Sequence, residues 1–268
     1  MSAPIQHGGR RAAVRLSARA MGWLGLYGVI LAAWAGVALM ARGLPGAEAG
    51  SVPAEFWAAL CASAGEAEPV ALWAMWALMA SAMMLPTFVP ALRTFTDLSA
   101  TGATTGPGAV ALVAGYVAVW LAASVFGAAA QWALARGGML TPAGVSLSPW
   151  LTAALLFGAG AYQFSAIKAA CLAKCRMPLT FFLQHWRPGA TAAFGMGLRL
   201  GALCLGCCWA LMALGFIGGT MNLVWMGAAT LFMTLEKLPE IGRRLTRPAG
   251  SALILAGGLA ALRALQIA

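Results

Sequence analysis

Sulfur carries the chemistry of this chain: six cysteines and 14 methionines stand among its 268 residues. The densest stretch reads Cys204-Leu205-Gly206-Cys207-Cys208-Trp209-Ala210-Leu211-Met212. Cys204, Cys208 and Met212 recur at i, i+4 and i+8, which puts them on one helical face. Thiolate and thioether sulfurs are soft ligands suited to Cu(I). The vicinal Cys207 and Cys208 are expected to point to different faces, leaving one of them to pack. Packing without any metal or redox role is the alternative for the whole stretch.

A second sulfur series, Met75, Met79 and Met83, follows the same i, i+4, i+8 spacing, with Met84 beside it. A neutral thioether can sit inside a membrane without burying a charge. Methionine is also a flexible filler of apolar gaps, so ligation and packing both stand. Cys171 and Cys175 lie one turn apart and could share a soft ion, with Lys174 and Arg176 placing positive charge beside them. His185 reads either as a third ligand there or as an interfacial residue beside Trp186. Met221 and Met226 form an outer pair. Glu236 and Lys237 are expected to pair with each other, or with Lys168 or Arg199, in a structural role, because a buried carboxylate needs a partner. Arg199, about two turns into its helix, could also extend its head group to the interface.

These residues must be positioned by helices in a membrane. Hydrophobic residues make up 62% of the chain and charged residues 9%. Soluble domains are about half apolar and about one quarter charged. A soluble enzyme, a disordered chain and a fibrous protein are therefore excluded. The expected fold is all-α, a polytopic membrane helix bundle with about seven transmembrane helices. A basic tail covers roughly residues 1–19, and a single transmembrane domain covers roughly 20–268. The spans fall at roughly 20–41, 70–92, 107–133, 149–172, 191–217, 221–238 and 249–267. Pro86 and Pro90 are expected to kink or stop the second. The loop 42–69 gathers Glu48, Glu55, Glu66 and Glu68, holds Cys61, and has an apolar pair, Phe56-Trp57, suited to a short surface helix.

The formal charge of +10 is not spread evenly. Arg10, Arg11, Arg15 and Arg19 precede the first apolar run. Lys168, Lys174, Arg176 and Arg187 precede the fifth, and Lys237, Arg243, Arg244 and Arg247 the last. This alternation fits the positive-inside rule with a cytoplasmic N-terminus and an uncleaved first span. It does not fit a nucleic-acid surface, so no nucleic-acid partner is expected. With only two histidines, His7 and His185, a bis-His haem inside the bundle is excluded. No P-loop, dinucleotide fingerprint or HExxH motif is present, so no haem, nucleotide or flavin is expected. No residue is assigned as catalytic, and a non-enzymatic role is the expectation.

Several blocks in this order resemble the DUF2182 family of bacterial integral membrane proteins, described as metal-binding and in some members as copper chaperones. They are Trp76 to Pro86, Tyr162-Gln163 with Lys168, Cys171 and Cys175-Arg176-x-Pro178, and His185-Trp186-Arg187-x-Gly189. Met196-Gly197, the Gly206 to Met212 block, Met221-Asn222-x-x-Trp225-Met226 and Glu236-Lys237 complete the set. The resemblance covers roughly residues 70–255. It implies handling of a soft metal in a bacterial inner membrane.

Three functions follow. The first is Cu(I) binding, delivery or transport by Cys/Met ligand exchange. The methionines of spans two and six, with Cys204, Cys207, Cys208 and Met212, would form the intramembrane site. Cys171, Cys175 and His185 would be the cytoplasmic exchange point. The expected partners are the lipid bilayer and a copper-donating or copper-receiving protein. The second is a structural or assembly subunit of a larger membrane complex. The third is thiol redox with a quinone, for which Tyr162, Gln163 and Lys168 are the available polar contacts.

Overall fold

A computed structural model describes residues 18–41, 69–99, 106–220 and 222–267. The basic tail before Ala18, the acidic loop with Cys61, and Met221 lie outside the described residues. Among the described residues ten helices follow in order: α1 Ala18–Ala41, α2 Pro69–Leu98, α3 Gly106–Arg136, α4 Pro149–Tyr162, α5 Ala166–Arg176, α6 Pro178–His185, α7 Ala190–Ala213, α8 Gly215–Gly218, α9 Leu223–Lys237 and α10 Pro239–Ile267. No strand is present among the described residues; one antiparallel bridge, Leu140 to Ser146, closes the turn before α4.

Local chemistry sets the boundaries. Ser148 accepts from Leu151 N at 3.3 Å ahead of Pro149. Ser165 accepts from Lys168 N at 3.1 Å, and Asn222 accepts from Val224 N and Trp225 N at 3.0 and 3.1 Å. Each side chain satisfies backbone donors that the first helical turn leaves free. Prolines open α2, α4, α6 and α10, where the missing N–H has no intrahelical partner to lose.

Five stretches are long and apolar enough to cross a membrane: Arg19–Ala41, Pro69–Leu98, Pro107–Arg136, Ala190–Gly218 and Pro239–Gln266. The pair α4 and α5 makes a sixth if counted as one span broken by a 61° bend. The chain is thus an all-helical membrane protein with five or six such spans among the described residues. The difference from seven lies in α9, whose 15 residues reach about 22 Å at 1.5 Å per residue. That is short of the ~30 Å hydrocarbon core. The expected fourth span is interrupted at Gln163–Ser165, where Ser165 restarts the helix. The last helix begins ten residues before the expected Ala249 and carries Arg243, Arg244 and Arg247 in its first half.

Over its most apolar stretch α2 is 67% buried against 17% for α10, so α2 runs through the middle of the bundle and α10 along its edge. Pro86 and Pro90 do not stop α2, which continues to Leu98. Each proline removes a donor from the ladder. Close by, Thr87 Oγ1 and Tyr116 OH both donate to Met84 O, at 2.9 and 3.1 Å.

Helices α3 and α7 pack most extensively, and α10 packs on α4. A Cβ at Gly197 would fall on the Leu112 carbonyl, and one at Gly115 on the Phe194 carbonyl. Small residues let membrane helices approach this closely, where dispersion rather than water exclusion holds them. Some polar groups in the interior are paired across helices, whereas Trp120 Nε1, both side-chain polar atoms of Gln163 and Glu236 Oε1 have no hydrogen-bond partner among the described residues. Trp76 Nε1 donates to Gln131 Oε1 at 2.7 Å. Lys168 Nζ meets Glu236 Oε2 at 2.8 Å, with side chains 1% and 2% exposed. Arg19 pairs with Asp97 at the surface, tying α1 to the end of α2.

The buried pair generates a stability prediction. Lys168→Met leaves the Glu236 carboxylate without its partner and costs about 3–5 kcal/mol. The double variant Lys168→Met with Glu236→Leu recovers most of that loss. Thermal unfolding of the purified protein in one detergent checks both; equal losses in the single and double variants contradict the assignment.

Candidate metal centre

Cys204, Cys207 and Cys208 converge near the middle of α7. Their sulfurs lie within 4.8 Å of one another, and the residues are 2%, 2% and 1% exposed. The helix explains this. Relative to Cys204, position i+3 lies about 60° to one side and i+4 about 40° to the other. The expectation that Cys207 and Cys208 diverge is therefore corrected: both flank Cys204. Cys207 and Cys208 also donate to Cys204 O, at 3.1 and 2.9 Å.

The neighbouring helices supply the rest of the site. From α2, Met84 brings Sδ to 3.8 Å from Cys208 Sγ. From α3, Tyr116 OH lies 3.1 Å from Cys204 Sγ, with its ring stacked on Phe88 at 4.1 Å between centroids. At the end of α9, Lys237 Nζ donates to Thr87 Oγ1 at 2.7 Å and to Cys204 Sγ at 3.1 Å. Glu236 and Lys237 therefore do not pair with each other. The carboxylate goes to Lys168 on α5, and the ammonium goes to the thiol site. Adjacent residues differ by about 100° around a helix, so Glu236 and Lys237 reach different neighbours. Arg199 is exposed and does not join the buried pair.

Three soft sulfurs grouped this closely, with a thioether beside them, form a cluster able to hold a metal ion. Its donors suit a thiophilic ion such as Cu(I) rather than a hard cation. A cavity of about 230 Å³ is lined by Cys204, Lys237, Cys175 and Arg176 among others.

The other sulfur residues are distributed differently. Cys171 is partly exposed and lies over α7, where a Cβ on Gly206 would meet its sulfur at 2.7 Å. Gly206 thus leaves room for Cys171 next to Cys207. Cys175 lines the cavity one turn further along α5. His185 sits on a separate helix, α6; its Nδ1 is 2.9 Å from Phe181 O, and its ring stacks on Phe181. Met212 lines a different, apolar cavity of about 610 Å³ with Trp76, Trp120 and Trp209. Met75, Met79, Met83 and Met226 are buried in the core.

Sequence reasoning missed Tyr116 and Thr87 and gave Lys237 only a structural role. No spacing joins residues from α2, α3, α7 and α9; their proximity is created by tertiary packing. The available signal was one of kind: a lysine beside a glutamate inside an apolar chain, with one of the two free to face elsewhere.

No match was found among curated proteins or among solved structures. A family model does match: residues 73–260 fit PpoB2, described as copper chaperone. That match takes in every cysteine and methionine of the centre, and the chain belongs to this copper chaperone family.

Proposed function

We propose that this protein binds Cu(I) inside a bacterial inner membrane and passes it on by exchange between cysteine and methionine ligands. The observation that carries the proposal is the inward-facing triad Cys204, Cys207 and Cys208 with Met84 Sδ 3.8 Å from Cys208 Sγ. Membership of a copper chaperone family supports the choice of metal. The burial of the triad supports it too, since a monovalent ion with sulfur ligands brings less charge into the membrane than a divalent one.

In this reading the triad is the depot and Met84 its fourth sulfur. Cys171 and Cys175, toward the basic end of α5, are the exchange point, with His185 near it on α6. Met75, Met79 and Met83, with Met212, Met221 and Met226, are the further thioethers along the path. The basic clusters lie in the cytoplasm, and with them the N-terminus. The seven crossings count α4–α5 as one broken span and α9 as a short one. The donor or acceptor is another protein or a larger membrane complex. No nucleotide hydrolysis is involved.

The exchange uses only what the chain provides. Two-coordinate and three-coordinate Cu(I)–sulfur arrangements can interconvert as one sulfur approaches and another leaves. Sulfurs within 4.8 Å permit this without large motion of the helices. Lys237 supplies a fixed positive charge beside Cys204 to balance thiolate charge in the apolar interior.

Metal analysis of the purified protein, loaded anaerobically with Cu(I), is expected to find copper retained at the triad. The pair Cys204→Ser with Cys208→Ser is expected to lose it, and unchanged retention in that variant excludes the site. Met84→Leu is expected to weaken retention about tenfold, or about 1.4 kcal/mol, whereas Met212→Leu changes it little. Competition with a chromogenic Cu(I) chelator measures both; equal effects would remove Met84 from the site.

A further inference from the structure

The cavity that reaches the triad has the wrong charge for a bare copper ion. Resting on the copper reading above, we propose that copper enters it as an anionic Cu(I) complex of a small thiol. The free or hydrated cation is not the form taken up.

The charge on the walls carries the argument. Lys237, whose Nζ is 3.1 Å from Cys204 Sγ, and Arg176, the residue after Cys175, both line the cavity. Among the described residues no Asp or Glu lines the cavity. Arg176 donates through Nε to the backbone carbonyl of Glu236 at 2.9 Å and reaches Thr246 Oγ1 at 3.4 Å. Lys237 donates to a hydroxyl and a thiol. Neither cation is in an ion pair among the described residues, and the nearby Glu236 carboxylate is held by Lys168 at 2.8 Å. A cleft of one sign with low-dielectric walls concentrates ligands of the opposite sign. It repels Cu(I) as a cation and attracts a bis-thiolate complex, which is anionic.

Size and sulfur placement agree. A volume of about 230 Å³ lies below the roughly 300 Å³ at which drug-sized sites begin. It admits a small complex or one arm of it and no protein domain. Two cysteines, Cys175 and Cys204, line the cavity. Copper can therefore be taken first by one and then by the other. In the first step a Cu–S bond to Cys175 forms and one Cu–S bond to a small thiolate breaks, and the proton given up by Cys175 leaves on the departing small thiol. In the second step a Cu–S bond to Cys204 forms and the Cu–S bond to Cys175 breaks, and the proton given up by Cys204 returns to Cys175. Copper stays Cu(I), and no oxidant or reductant is needed.

The test compares initial loading rates of the full chain in nanodiscs, under anaerobic conditions, from two donors. One is an anionic Cu(I)–glutathione complex and the other is cationic tetrakis(acetonitrile)copper(I). The rate with the anionic donor is expected to fall as salt is raised. The ratio of anionic to cationic rates is expected to drop about tenfold in Arg176→Gln and in Lys237→Gln and to persist in Arg176→Lys. The salt series on the unaltered chain needs no variant to fold. Copper bound with an unchanged ratio in both neutral variants, and with no salt effect, overturns the anionic-donor proposal and leaves the copper reading standing. Absence of bound copper with either donor overturns both.

Discussion

Helices α3 and α7 touch backbone to backbone, and the thiol centre depends on how near they come. Gly197, Gly201, Cys204 and Cys208 run along one stripe of α7. The two glycines admit the backbone of α3 around Leu112 and Tyr116. With the backbones this close, Tyr116 can put its hydroxyl 3.1 Å from Cys204 Sγ. The same hydroxyl is 3.1 Å from Met84 O on the proline-containing stretch of α2. One aromatic side chain thus ties three helices at the level of the sulfurs. Side chains at the glycine positions would separate the helices and with them the sulfur ligands.

The second constraint is polar. Lipid offers no hydrogen bonds, so each buried polar group needs a partner within the protein. Lys168 and Glu236 meet this need for each other. Lys237, the next residue, is left for the hydroxyl of Thr87 and the sulfur of Cys204. The ion pair fixes the end of α9 against α5, and so fixes where Lys237 lies. A group with a structural role and a group facing the thiol cluster are consecutive in the chain because the helix turns about 100° between them.

Much of this was legible in the residues. Cys204 and Cys208 at i and i+4 identify a common face, and the apolar composition fixes an all-helical membrane bundle. Cys207 was misjudged because adjacency was taken to mean divergence, although i+3 and i+4 both flank position i. Among the methionines, the regular series Met75, Met79 and Met83 drew attention, yet the sulfur recorded against a thiol is that of Met84, on the next face of α2. The break at Gln163–Ser165 had a signal, a serine capping the turn that contains Lys168, hidden within an otherwise apolar run. Continuation of α2 through Pro86 and Pro90 had none in local sequence, because each proline removes a ladder donor and so reads locally as a break.

Three buried thiols with a thioether beside them offer a bound metal ion sulfur ligands and no others from this cluster. X-ray absorption at the copper edge, on the purified full chain loaded with Cu(I), tests that most directly. The account predicts a first shell made of sulfur alone and the edge shape of Cu(I). A first shell of nitrogen or oxygen donors would contradict it.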